Sequence, residues 1–167
     1  AVLGDLHRAA DIADKDVFFV HSQKLGKLGV LANNAVSMRG HGIAGLLHER
    51  IFEEMKKYPQ VDSIAIAGSR ASGNSDPKSD YDVYVYTSNK EYLPEDIRNQ
   101  IYEKYCSTYE TGNKYFEYED NCILNNGIPI DIIFRNIEMI EKTQEYVVDK
   151  HKSMLGYTTA FWHTLKI

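Results

Sequence analysis

Apolar residues recur at helical spacing across residues 43–57, where Ile43, Leu46, Leu47, Ile51 and Met55 share one face and Glu49, Glu53, Glu54 and Lys56 fall outside it. That pattern predicts an amphipathic helix, ended by Tyr58-Pro59-Gln60 because the residue before a proline is biased away from helical backbone. Small and apolar residues at 61–67 predict a strand, residues 68–79 a polar turn, and residues 81–86 a second strand. A second helix is expected from Pro94, which suits a first turn, to about Tyr105. Residues 116–124 and 128–134 read as a hairpin around Asn125-Asn126-Gly127, and a third helix should run from about residue 137 to 151.

This order of elements predicts an α/β (α+β) fold, a small mixed sheet with helices covering one face. Residues 1–39 carry a short helical pattern near 3–12 and an apolar patch at 17–20, and no chemistry can be assigned to them. His7 and His21 lack a paired metal-ligand spacing and read as structural or solvent-facing. The expected organisation is an unassigned N-terminal arm at 1–39 and one domain at 40–167 with a short helical segment at its C-terminal end.

The chain has 167 residues, enough for one compact core, and its 43% hydrophobic and 26% charged content excludes a wholly disordered or fibrous protein. Its net charge of −5 provides no positive field for a long nucleic acid, so a small or protein partner fits better. Cys106 and Cys122 are too few for a disulfide framework. No apolar run reaches the ~18 residues of a membrane span, and the N-terminus lacks the arrangement of a secretory signal. A soluble protein in a reduced, cytoplasmic setting, with no membrane partner, is expected.

Chemistry concentrates after residue 67. Asp80 and Asp82, two apart at the start of a strand, point to one side and repel each other unless a cation lies between them; hard oxygen ligands of this kind suit magnesium. Asp131 lies among apolar residues on a later strand, where an unpaired carboxylate is costly. If the two strands are neighbours, the three acids converge, and two metal ions could orient a triphosphate there. Gly68 permits close approach of a ligand, and Ser69 offers a hydroxyl and an N–H to phosphate. Arg70 and Lys78 add positive charge, and Ser79 completes the candidate nucleotide-binding set. Asp76, before Pro77, reads as turn chemistry, and Tyr84 and Tyr86 as cross-strand packing.

Gly68-Ser69, ten intervening residues, Asp80-x-Asp82 and the later Asp131 together resemble the signature of the DNA polymerase beta-like nucleotidyltransferase superfamily. Residues 68–86 are similar to stand-alone bacterial domains of the minimal and antibiotic-modifying kind. The resembling core covers residues 41–134, and Gly156 to Thr159 with Phe161, Trp162 and His163 look like the segment that follows it in some bacterial members. The resemblance implies that Asp80 and Asp82 bind both of two Mg2+ ions. Asp131 would bind one ion and act as, or help to position, the general base. Gly68 and Ser69 would hold the phosphates of an NTP. The implied reaction moves a nucleoside monophosphate to a hydroxyl of a small-molecule or protein acceptor and releases pyrophosphate.

Two other readings stay open on the sequence. One is an antitoxin-like or pseudoenzyme nucleotide-binding module that acts through a protein partner. The other is a catalytic domain completed by a homo-oligomer or a partner subunit, with the N-terminal arm supplying contacts.

Overall fold

A computed structural model describes residues 47–71, 75–87 and 91–157; the predicted N-terminal arm and the C-terminal aromatic residues Phe161 and Trp162 lie outside these. The first helix, α1 (Leu47–Met55), buries His48, Ile51, Phe52 and Met55, the i, i+3, i+4, i+7 stripe of an amphipathic helix. Ile43 and Leu46 of the predicted stripe fall outside the described residues. Strand β1 (Ser63–Ala67) leads directly into a one-turn helix, α2 (Gly68–Ala71), where the sequence pattern predicts only a turn. Strand β2 (Tyr81–Thr87) follows the polar loop, and helix α3 (Glu95–Tyr105) starts just after Pro94, as expected.

The sequence pattern misses the next element. Helix α3 passes without a turn into strand β3 (Cys106–Asn113), whose Cys106 is already extended at φ −117 and ψ 143. Strands β4 (Tyr118–Leu124) and β5 (Pro129–Asn136) form the predicted antiparallel hairpin. Its turn is held by the Gly127 N–H donating to the Leu124 carbonyl at 2.8 Å, with Gly127 at φ 84, a conformation that favours glycine. The third predicted helix is present as α4 (Ile137–Gln144), capped by the Asn136 side chain accepting from the Met139 N–H. It continues into a π-helical turn, Glu145–Asp149.

Among the described residues five strands lie in the order β1-β2-β5-β4-β3. Only β2 and β5 run parallel; the other three neighbouring pairs are antiparallel. A parallel neighbour needs a crossover, supplied here by α3 and the β3–β4 pair. The expected mixed α/β architecture is therefore found.

Burial alternates strictly along β2 and through most of β5. Val83, Val85, Ile130, Ile132 and Phe134 form one face and join Ile51, Phe52, Met55, Ile101 and Tyr102 of α1 and α3 in the main core. Asp82, Tyr84, Tyr86, Asp131, Ile133 and Arg135 form the opposite face, by the period-two alternation of a strand. The C-terminal segment packs on part of this second face, where Ile140, Val147 and Tyr157 cluster against Tyr86. A polar clasp fastens it: Arg135 donates twice to Glu117, at 2.9 and 2.6 Å, and the Tyr157 hydroxyl donates to Glu117 Oε1 at 2.9 Å. The Arg135 guanidinium also lies 3.6 Å from the Tyr84 ring centroid. Tyr84 and Tyr86 are thus packing residues, as the alternation predicts. Among the described residues no helix is long and apolar enough to cross a membrane.

Candidate active site

The parallel pairing of β2 with β5 sets Asp82 directly opposite Asp131. Both occupy the face turned away from the main core, so two half-buried carboxylates lie side by side on neighbouring strands. Asp80 precedes β2 and is exposed. Partial burial raises the pKa of Asp82 above its ordinary value, and the negative charges of Asp80 and Asp131 raise it further. The three predicted acids therefore share one electrostatic neighbourhood.

Gly68 closes the site from the β1 side. Ala67 pairs with Asp82, so the next residue crosses the end of β2, and Gly68 turns there at φ 64. A Cβ on Gly68 would meet Asp82 Oδ2 at 1.8 Å and Cγ at 2.8 Å. The chain backbone therefore packs directly on the carboxylate, which only glycine allows. Ser69 follows as a half-buried residue of α2.

The remaining predicted phosphate ligands are distributed differently. Arg70 lies over the Tyr81 ring, 3.8 Å from its centroid, and donates to the backbone carbonyls of Ser79 and, at 2.9 Å, of Asp80. In this position it braces the segment that delivers Asp80 and Asp82. Ser79 Oγ accepts from the Asp76 N–H at 2.9 Å, and Asp76 Oδ1 accepts from the Lys78 N–H at 2.7 Å. Asp76 thus performs the turn role predicted for it, Ser79 is engaged within the same loop, and the Lys78 side chain is exposed.

Two residues of this face escape the sequence reading. Asn121 on β4 lies opposite Asp131 and donates from Nδ2 to Asp131 Oδ1 at 2.8 Å. Glu119, two residues earlier on the same face, has its carboxyl raised above the ordinary range by burial and by the charge of Asp131. The available signal for Asn121 was the polar run Glu119-Asp120-Asn121 inside a strand, in which Asp120 and Asn121 fall as a pair on opposite faces. Such a pair puts one polar group on each face, and each needs a partner.

The acids fit a divalent cation in donor type and charge. They are hard oxygen ligands whose mutual repulsion raises Asp82, and a cation would relieve it. As arranged, no three His, Cys, Asp or Glu side chains among the described residues close to metal-ligand geometry.

Gly68 and Ser69 ahead of acids aligned on adjacent strands of a mixed sheet agree with the DNA polymerase beta-like superfamily that the sequence resembles. The chain belongs to the nucleotidyltransferase domain family, whose model matches residues 48–154, more than half of the chain. It is accordingly a nucleotidyltransferase, and NTP is the substrate the family uses. No curated protein matches the chain.

Proposed function

We propose that the protein transfers a nucleoside monophosphate from an NTP to a hydroxyl of a small-molecule or protein acceptor, with pyrophosphate as the other product. The observation that carries this reading is the register of β2 against β5, which aligns Asp82 and Asp131 beside the backbone of Gly68. Asp80, Asp82 and Asp131 would hold two Mg2+ ions, whose charge would neutralise the triphosphate and favour attack at the α-phosphorus. Gly68 and Ser69 are assigned to the phosphates. Arg70 keeps the loop that carries the acids in place through its bonds to the Ser79 and Asp80 carbonyls.

In the reaction, the acceptor oxygen forms a bond to the α-phosphorus and the bond from that phosphorus to the β-phosphate oxygen breaks. The hydroxyl proton passes to Asp131, on the carboxyl oxygen that Asn121 does not hold. Catalysis in this scheme is positioning and charge stabilisation, with no covalent intermediate on the protein. The net charge of −5 disfavours a long nucleic acid as acceptor.

The test is calorimetric titration with each of the four NTPs in the presence of magnesium, on the wild type and on Asp80→Ala/Asp82→Ala. Saturable binding by the wild type that disappears in the variant is expected, and it reveals the base preference. Absence of binding to every NTP would overturn the proposal.

A further inference from the structure

Strand β4 carries three consecutive polar residues, and the sheet sends Asp120 to one face and Glu119 and Asn121 to the other. Asp120 enters the core, where Arg98 Nε lies 2.8 Å from its Oδ2, the Tyr102 hydroxyl donates to Oδ2 at 2.7 Å and the Gly112 N–H donates to Oδ1 at 2.9 Å. With Asp120 fastened on that side, Asn121 is committed to the other, opposite Asp131. There its Oδ1 accepts from Asn113 Nδ2 at 3.2 Å while its Nδ2 donates to Asp131 Oδ1 at 2.8 Å. Asn121 is also hydrogen-bonded to the Glu119 carboxylate, and the Asn113 donor agrees with that orientation. An amide can present either end, and a donor from Asn113 on the oxygen leaves the NH2 group to face the carboxylate. A donor in that place restricts the rotation of the Asp131 carboxylate.

We infer that Asn121 is the positioning residue of the transfer site, holding Asp131 beside Asp82 against the repulsion of the neighbouring acids, with Asn113 supporting its orientation. This rests on the assignment of Asp131 proposed above. Asn121 acts through Asp131 and needs no contact with nucleotide or acceptor. The role differs from packing, because it depends on the donor hydrogen and not on the volume of the side chain.

The test compares Asn121→Ala, Asn121→Leu and Asn113→Ala with the wild type in the full chain. Asn121→Leu keeps most of the volume and removes the donor. Three quantities are read: steady-state pyrophosphate release, Mn2+ affinity by electron paramagnetic resonance, and thermal unfolding. Both Asn121 variants should lose roughly 10- to 100-fold in kcat and bind Mn2+ about tenfold more weakly, the scale expected for the hydrogen-bond partner of a metal ligand. With the metal ion saturating, their KM for NTP should stay within about twofold, since Gly68 and Ser69, not Asp131, are assigned to the phosphates. Asn113→Ala should fall between them and the wild type. Wild-type kcat and Mn2+ affinity in Asn121→Leu would overturn the positioning role. Should Asn121→Leu fail to fold, unchanged kcat and Mn2+ affinity in Asn113→Ala would overturn it instead. A wild type that neither binds Mn2+ nor releases pyrophosphate would overturn the site assignment itself, an outcome distinct from either.

Discussion

Replacing Gly68 with alanine tests directly whether the place of the Asp82 carboxylate matters for activity. The added Cβ would lie 1.8 Å from Asp82 Oδ2, whereas ordinary contacts lie at 3.4–4 Å. The carboxylate must therefore retreat by roughly 1.5 Å, and a displacement of about 1 Å at a reacting centre can cost on the order of 100-fold in rate. The second cost is conformational. Alanine at φ 64 loses about 1–2 kcal/mol relative to glycine, since its Cβ crowds the following carbonyl. For a domain of this size that corresponds to a fall of several degrees in Tm. The assay pairs pyrophosphate release under saturating NTP with thermal unfolding of the same preparations. The expected Gly68→Ala protein remains folded below its Tm and has lost about two orders of magnitude in kcat. A variant with wild-type kcat would refute the reasoning, because it would show that the Asp82 carboxylate need not occupy the place where it now meets Gly68.

Three other changes test the electrostatics. Asp131→Asn should abolish transfer yet stabilise the fold by roughly 0.5–1 kcal/mol, because it removes a charge that raises Asp82; a drop in the urea midpoint would contradict this. Arg98→Met should destabilise by about 3–5 kcal/mol, since it leaves the fully buried Asp120 without its cation, and the same denaturation curves measure it. His48, packed between Phe52 and Tyr81, has its pKa lowered to about 4 by burial and then by Arg70. Its folded value lies below the ordinary 6.5, so the unfolded chain binds the extra proton and stability rises with pH between those values. The contribution is about 3 kcal/mol, complete above pH 6.5 and lost as the pH falls to about 4. His48→Phe should flatten that part of the stability profile, and an unchanged slope would exclude His48 as its source.

The elements legible in the sequence are those that bury one face. The helix α1, the alternation of β2, the apolar strand β5 and the Asn125-Asn126-Gly127 turn are found, although the α1 stripe shares only Ile51 and Met55 with the one read and is completed by His48 and Phe52. Strand β3 was illegible for the complementary reason. It is an edge strand paired only with β4, its residues 107–110 are exposed, and register irregularities interrupt the pairing at Cys106/Thr108 and Glu110/Asn113. Neither burial nor alternation marks such a segment. The acids were legible as a spacing, and the neighbourhood of Asp82 and Asp131 depends on a strand pairing that spacing alone cannot supply. Arg70 shows the converse limit: a basic residue beside Gly68-Ser69 reads as a phosphate ligand, while its bonds to two loop carbonyls emerge only once the loop folds back.

The alignment of Asp82 with Asp131 is set by the same register that places Val83 beside Ile132 and Val85 beside Phe134 in the core. Because side chains alternate, a slip of one residue would turn Asp131 into the apolar interior and expose Ile132, a cost that far exceeds any local preference. Core formation therefore proofreads the site. A molecule that buries its sheet correctly has aligned these two acids by the same act, so folded but misregistered molecules should be absent from a preparation and activity should track the folded fraction.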